Sequence, residues 1–283
     1  MSRGLAFVTT CMGRLSHLRQ SLPLLASQPE ADCIVVDYSC PEHSGEWALA
    51  NLPRTRVVRV EGESCFNLAR ARNAGAAACD ADWICFIDAD VLIQPSFSAE
   101  IAGLLRPGAF YRPDPFDALT WGTVIVARSD FERIGGYDDI IQGWGGEDDD
   151  LYARLQMAGV SPAGFPGCLM AGIDHGETDR VKHYAIKDRL LSQRINALYI
   201  RIKADMSRLV GVPMPQDIRR SLYADLSRIV PEADVQHTSA RMNIDLAQLP
   251  FLHGRTLGVR MEYTLSDETE WVGMDEDMNK AGV

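Results

Sequence analysis

Residues 83–90 read Trp-Ile-Cys-Phe-Ile-Asp-Ala-Asp, an apolar run that leads into two aspartates. The run has the length and composition of a buried β-strand. Carboxylates at positions i and i+2 can point to the same side once the strand ends and the chain turns, an arrangement that suits a hard divalent cation. A solvated turn is the alternative interpretation of Asp88 and Asp90. The stretch therefore predicts a buried strand that brings two carboxylates to the edge of a sheet.

Strand and helix patterns alternate on the N-terminal side of this stretch. Apolar runs typical of strands cover 5–10, 33–37 and 56–60, and helical patterns occupy 15–25, 44–52 and 66–79 between them. Such alternation predicts an α/β fold, Rossmann-like, with a mostly parallel sheet flanked by helices. Ligands bind beyond the carboxyl ends of parallel strands. The polar residues that end these strands are therefore expected to share one edge: Thr10, Asp37, Asp88 and Asp90.

Composition narrows the class of partner and the compartment. The net charge of −11 argues against nucleic acid as a partner. No apolar run approaches the roughly 20 residues that a membrane-spanning helix needs. The seven cysteines are odd in number and scattered, which favours free thiols in a reducing compartment. We therefore expect a cytoplasmic protein without a transmembrane segment, or one peripheral to the inner face of a membrane. The oligomeric state stays open.

Four consecutive acids in residues 143–150, Gly-Trp-Gly-Gly-Glu-Asp-Asp-Asp, precede a helical pattern. Like charges this close repel, so at least one of these carboxyls should have a raised pKa. Gly145 and Gly146 allow a positive φ or a close approach of the backbone to a ligand. An acid-rich helix cap is the alternative. Four acids exceed what capping needs, so the octet indicates a functional site.

The octet resembles the signature of the β-1,4-galactosyltransferases and the related bacterial polysaccharide-polymerising glycosyltransferases. The likeness spans roughly residues 5–180 and includes Trp121-Gly122-Thr123 and Gly135-Gly136-Tyr137 in the same order. It implies the GT-A fold and a metal-dependent hexosyltransferase of polysaccharide biosynthesis. The donor would be a nucleotide-sugar, UDP-linked, of the galactose or N-acetylhexosamine type. The acceptor would be a hydroxyl of a carbohydrate or glycolipid, which attacks the anomeric carbon of the donor with inversion.

The resemblance also implies roles for individual residues. Asp148 would be the catalytic base, with Glu147 and Asp149 holding sugar hydroxyls. The acceptor or donor sugar would pack on three further residues: Trp144, Gly145 and Trp121. Mn²⁺ or Mg²⁺ would be held through Asp90, with Asp88 and His175 as the other ligands. The galactosyltransferases use a Met three residues before that histidine, where this chain has Gly172.

A third set of residues would bind the donor. By the same resemblance Thr10 and Arg14 would contact the nucleotide and its diphosphate, and Asp88 its ribose or sugar. Asp37 would accept from the uracil imide, although capping of the next helix explains an acid there equally well. In Phe66-Asn67-Leu68-Ala69-Arg70, Phe66 matches the donor-binding helix of the galactosyltransferases, but Leu68 replaces their Arg. Arg70, or Arg72 beyond it, would compensate.

We divide the chain accordingly into two domains. Residues 1–180 are expected to be the catalytic domain, with nucleotide-sugar binding in 1–95 and the acceptor and catalytic part in 96–180. Residues 181–283 are expected to be a mainly helical extension with a frayed acidic tail. The competing interpretations are a retaining glycosyltransferase on the same fold, a nucleotidyltransferase, and a non-catalytic module that binds sugar nucleotides.

Overall fold

A computed structural model describes residues 4–174, 176, 181–236, 240–251 and 255–265. It divides into two compact units, Met1–Ile200 and Arg201–Val283. The sequence placed this boundary after residue 180. The difference arises because a long helix, α7 (Arg189–Val210), contributes its first part to the first unit. Among the described residues, none of the helices combines the length and the apolar character needed to cross a membrane.

The first unit alternates strands and helices. Its strands are β1 (Leu5–Cys11), β2 (Ala31–Tyr38), β3 (Arg56–Val60), β4 (Trp83–Phe86), β5 (Val91–Ile93), β6 (Ala109–Asp114), β7 (Val124–Ala127), β8 (Ser161–Pro166) and β9 (Met170–Gly172). Its helices before α7 are α1 (Leu15–Ala26), α2 (Ser44–Asn51), α3 (Leu68–Ala77), α4 (Phe97–Leu104), α5 (Arg128–Arg133) and α6 (Glu147–Met157). A 3₁₀ turn, Gly167–Leu169, precedes β9.

Seven of these strands form one sheet, in the order β3-β2-β1-β4-β7-β6-β8. Strands β3, β2, β1 and β4 run parallel, as do β6 and β8, whereas β7 is antiparallel to both of its neighbours. A short antiparallel pair, β5 with β9, forms a second sheet. The predicted α/β fold with a mostly parallel sheet is confirmed.

Both faces of the sheet are buried, as the alternation of β1 shows. Leu5 and Phe7 pack into one apolar cluster with α1, while Ala6 and Val8 pack into another with α3. Helix α3 lies close to the sheet because Gly75 has no side chain: a Cβ there would stand 2.4 Å from Val8. This close packing brings the polar positions of α3 toward the carboxyl edge of the strands.

The second unit is less helical than the sequence predicted. After the end of α7 it contains α8 (Gln216–Gln236), then β10 (Ala240–Phe251) and β11 (Arg255–Leu265) as an antiparallel hairpin. The pairing of β10 with β11 is irregular, since its register shifts between Asp245 and Ala247. The acidic tail 268–283 lies outside the described residues.

Candidate active site

The carboxyl ends of β1, β2 and β4 place polar residues along one edge of the sheet. Thr10 pairs in register with Val36 near the ends of β1 and β2, and both Thr10 and Asp37 are buried. Asp88 lies just beyond β4, where its carbonyl accepts a hydrogen bond from Val91 in a tight turn. Asp90 follows and is buried. The structure therefore brings together the strand-end residues that the sequence predicted to share this edge.

Arg72 of α3 links this edge to the acidic octet. Its side chain is only 1% exposed. Its guanidinium donates to Asp148 Oδ1 at 2.6 Å and to Asp88 Oδ1 at 2.8 Å. It also donates to the backbone carbonyl of Gly122 at 3.1 Å. One buried cation thus holds the carboxylate that follows β4 and a carboxylate of α6 in a single network.

Tyr137 completes the network. Its hydroxyl accepts from Arg72 at 3.1 Å and donates to Asp148 Oδ1 at 3.2 Å. The Tyr137 backbone is fixed to α3 because Asn73 donates to its carbonyl and accepts from its amide, both at 2.9 Å. Gly136 has φ +71 and lies so close to Asn73 that a Cβ would stand 2.7 Å from its Oδ1. The Gly-Gly-Tyr motif therefore serves to position Asp148.

The two first acids of α6 have raised pKa values. Burial, followed by the neighbouring Asp148 charge, raises the pKa of Glu147 to about 8, and Arg72 opposes the shift. Burial also raises the pKa of Asp148 to about 6, with Arg72 lowering it and Asp88 raising it. Both carboxyls therefore titrate above their usual range, and burial raises the pKa of Glu147 further than that of Asp148. This difference suits Asp148 to accept a proton and Glu147 to donate a hydrogen bond.

The loop that carries the octet is held by the first part of α7. Gly145 and Gly146 have φ +87 and +94, values that favour glycine. The buried Asn196 amide donates to the carbonyls of Gln142 and Gly145, at 3.0 and 2.6 Å. Ser192 Oγ accepts from the Trp144 amide at 2.8 Å and donates to the Trp144 carbonyl at 3.1 Å. This support was not predicted, because it depends on contacts between segments that are distant in sequence.

The aromatic residues predicted to bind sugar lie near the octet and are partly exposed. Arg189 packs over the Trp144 ring, with its guanidinium carbon 4.1 Å from the ring centroid. Trp121 accepts a hydrogen bond at its carbonyl from the Tyr152 hydroxyl at 3.3 Å. Asp149, the third acid expected to contact substrate, is exposed on the first turn of α6.

The predicted metal ligands are only partly within the described residues. Arg14 forms an ion pair with Asp90 Oδ2 at 2.8 Å. Asp88 uses Oδ1 for Arg72, and no donor from the described residues reaches its Oδ2. His175 lies outside the described residues. Elsewhere in the described chain, too, no three His, Cys, Asp or Glu side chains come together as a metal site. The chemistry of the two carboxylates fits a hard cation, and the predicted set would need His175 to complete it.

The residues predicted to bind the donor have different kinds of contact. Asp37 accepts from the Cys40 and Gly45 amides at 2.9 and 2.8 Å, which is the helix-capping alternative. Its contact with a base stays a prediction. Phe66 stands between Tyr38 and Tyr184, with ring centroids 5.5 and 5.4 Å away.

Arg70 does not reach the acidic network. It is exposed and pairs with Glu63 at 2.8 Å. Arg72 was predicted only as an alternative to Arg70, yet it is the arginine that contacts Asp88 and Asp148. A signal for it existed: Arg72 lies one turn after Ala69 and one turn before Ala76, both buried on the apolar face of α3. A charged residue at such a position needs a buried partner.

Two family models match adjoining segments of the chain. Residues 7–109 match the family described as "Glycosyl transferase family 2". Residues 109–185 match the family described as "N-terminal domain of galactosyltransferase". The second segment contains the Gly-Gly-Tyr motif, the acidic octet and the segment packed on Phe66.

Curated relatives are similar over about half of the chain. In an alignment of 166 positions that covers 50% of this chain and 40% of that protein, the chain is 31% identical to beta-1,4-galactosyltransferase 1 of Bos taurus. In an alignment of 190 positions that covers 60% of this chain and 46% of that protein, it is 29% identical to beta-1,4-galactosyltransferase 5 of Danio rerio. The chain therefore spans less than half of the length of these relatives.

Solved structures share the fold at low sequence identity. The mannosyltransferase PcManGT from Pyrobaculum calidifontis, in complex with GDP-Man and Mn²⁺, superposes with a TM-score of 0.54 at 15% identity, over 82% of this chain and 72% of that one. TarS 1-349 of S. aureus gives a TM-score of 0.53 at 13% identity, over 83% and 92%. These likenesses identify the fold as GT-A, as the sequence predicted.

Proposed function

We propose, from the premise that residues 7–185 form a glycosyltransferase domain of the GT-A fold, that the protein transfers a sugar from a UDP-linked donor to an acceptor hydroxyl with inversion. The donor sugar would be of the galactose or N-acetylhexosamine type, and the acceptor a carbohydrate or glycolipid. The observation that carries the proposal is the buried Arg72 network, which joins the Asp88 carboxylate after β4 to Asp148 of α6.

In this mechanism Asp148 accepts the proton of the acceptor hydroxyl as that oxygen attacks the anomeric carbon, and the bond from this carbon to the diphosphate breaks, so that the nucleoside diphosphate leaves. The pKa of Asp148, about 6, leaves it ionised and still basic at neutral pH. Arg72 and Tyr137 orient its Oδ1, which leaves Oδ2 for the acceptor. Glu147, whose pKa burial raises to about 8, would keep its proton and donate a hydrogen bond to a sugar oxygen. A base opposite the leaving group favours inversion.

We propose that Mn²⁺ or Mg²⁺ would be held by Asp90 and Asp88 together with His175. When bound, the cation neutralises charge on the diphosphate. Support comes from the two carboxylates at the carboxyl edge of the sheet and from the Asp88 oxygen that no described residue engages. Arg14, which contacts Asp90 at 2.8 Å, would turn to the diphosphate. Thr10 and Phe66 would then line the nucleotide site.

A thermal-shift screen tests the donor site. The protein is heated with UDP, GDP, CMP and their common sugar conjugates, each with Mn²⁺, with Mg²⁺ and with EDTA. A ligand that binds the folded state raises the melting temperature by mass action. We expect UDP and a UDP-hexose to raise it only in the presence of metal. A shift with GDP or CMP instead would overturn the UDP assignment, and no shift with any nucleotide would overturn the donor site itself.

Turnover is tested separately by slow hydrolysis of the bound donor in the absence of an acceptor. Sugar release would distinguish an enzyme from a module that only binds sugar nucleotides. The anomeric configuration of a transferred sugar, read by NMR, distinguishes inversion from retention. A nucleotidyltransferase would instead release diphosphate from a nucleoside triphosphate, and a separate assay for diphosphate would detect this product.

A further inference from the structure

Arg112 is a cation close to the octet that has no acidic partner among the residues the structure describes. It lies on β6, and its Nε is buried without a hydrogen-bond partner. Its guanidinium carbon lies 4.3 Å from the Trp121 ring centroid and 4.4 Å from that of Tyr152. The buried Arg72 of this region differs, since it pairs with the carboxylates of Asp88 and Asp148 at 2.8 and 2.6 Å.

The aromatic contacts of Arg112 leave the edge of its guanidinium group to bind a ligand. Aromatic rings pack on the guanidinium, and its hydrogen-bond donors lie in the plane of the group, at its edge. That edge matches a carboxylate, which can accept two parallel N–H bonds. A buried N–H without a partner is costly to retain. Such an arrangement is therefore typical of a group whose partner arrives with a ligand.

The position of Arg112 places this ligand on the acceptor side. In the sheet, β6 is separated from β1 by β7 and β4, so Arg112 lies away from the nucleotide edge. It contacts Trp121, whose next residue, Gly122, lies against the catalytic network: a Cβ on Gly122 would stand 3.1 Å from Asp148 Oδ2. Phe116, 58% exposed, meets the Trp121 ring edge-on with centroids 4.7 Å apart. Phe116 and Trp121 thus offer an apolar surface to a sugar ring.

We infer that Arg112 binds the carboxylate of a uronic acid in the acceptor, so that the acceptor belongs to the acidic glycans. The inference rests on the proposed function and names its substrate class. The sugar would pack against Trp121 and Phe116, its carboxylate on the edge of Arg112 and its reacting hydroxyl toward Asp148. A monoanion fits, because the described residues place no second cation on the Trp121 and Tyr152 rings.

Binding of glycoside pairs tests this assignment without turnover. p-Nitrophenyl β-D-glucuronide is compared with the matching glucoside, and the galacturonide with the galactoside, by calorimetric titration with and without UDP and Mn²⁺. We expect the acid of at least one pair to bind about tenfold or more tightly than its neutral partner. Equal affinity within both pairs overturns the inference. Donor hydrolysis by the wild-type protein reports on the proposed function independently, since glycoside binding does not require it.

Substitutions test whether Arg112 causes the preference for the acidic glycoside. Arg112→Met should abolish it, whereas Arg19→Met, which removes another arginine packed on a tryptophan (Trp47, 5.7 Å), should preserve it. Arg112→Lys keeps the charge but lacks the planar fork, so it should reduce the preference while sparing the fold. A preference that survives in Arg112→Met, or in full in Arg112→Lys, overturns the inference.

Discussion

Arg72 Nη1 donates to Asp148 Oδ1 across 2.6 Å, from a position in α3 that is 1% exposed. A buried charge is stable only when it is paired and hydrogen-bonded. Arg72 meets that requirement by engaging Asp88 as well. The same contact partly offsets the rise in the pKa of Asp148 that burial causes. Packing and proton chemistry are thus coupled at a single side chain.

Replacing Asp148 by Asn should reduce sugar transfer and donor hydrolysis by at least about a hundredfold, because the amide cannot accept the proton. Donor binding, measured by the metal-dependent thermal shift, should persist. Asp80→Asn, at a carboxylate that is 65% exposed, is the matched control and should behave as wild type. A variant with a normal rate would exclude Asp148 as the base.

Removing Arg72 should shift the pH dependence of turnover. The rate should rise with pH as Asp148 ionises, with the acidic limb centred near its pKa of about 6. Since Arg72 lowers this pKa, Arg72→Met should move the limb to higher pH. Arg72→Lys should move it less, because one ammonium keeps the charge without spanning both carboxylates. An unchanged limb in Arg72→Met would show that Arg72 acts only in packing.

The same substitution should also lower stability. Arg72→Met leaves the buried Asp148 carboxylate and the partly exposed Asp88 carboxylate without their cation, a loss of about 3–5 kcal/mol in the free energy of unfolding. Urea titration of the variant checks this figure. Arg228→Met, which removes exposed ion pairs with Asp225 and Glu232, is the control and should cost less than about 1 kcal/mol.

Glu147→Gln should stabilise the protein increasingly as pH rises. Glu147 titrates near 8 in the folded protein, against an ordinary value of 4.5. Between these values the folded state binds more protons than the unfolded state, so the wild-type protein loses stability with rising pH. Gln removes this dependence. Between pH 5 and 8 the melting temperature of Glu147→Gln should therefore rise progressively above that of the wild type. The control Glu132→Gln, at an exposed residue, should melt as the wild type does at each pH.

Asn196→Leu should loosen the loop that carries the octet. The substitution removes two hydrogen bonds to the carbonyls of Gln142 and Gly145, at a cost of about 1–3 kcal/mol. We expect kcat to fall at an unchanged donor affinity, since Asn196 touches the catalytic loop and not the nucleotide edge. A change confined to donor affinity would contradict this assignment.

Much of the fold could be predicted because its signals are local. The apolar runs of β1, β2, β3 and β4 are consecutive in sequence and alternate with helical patterns, so the parallel half of the sheet follows from them. Strands β6 and β8 were missed, because proline and glycine interrupt them and their pairing joins distant segments. The β10–β11 hairpin lies within residues 181–283, which the sequence predicted to be a mainly helical extension.

What the sequence by itself determined was the class of chemistry: carboxylates after a buried strand, an acidic octet before a helix, and the order of motifs that resembles glycosyltransferases. What only the tertiary structure decided was which cation serves those carboxylates and which protons they hold. Arg70 and Arg72 look alike in the chain, yet only Arg72 is buried between Asp88 and Asp148. The reason is physical, because pKa values and ion pairing depend on burial and on distances between side chains that are far apart in sequence.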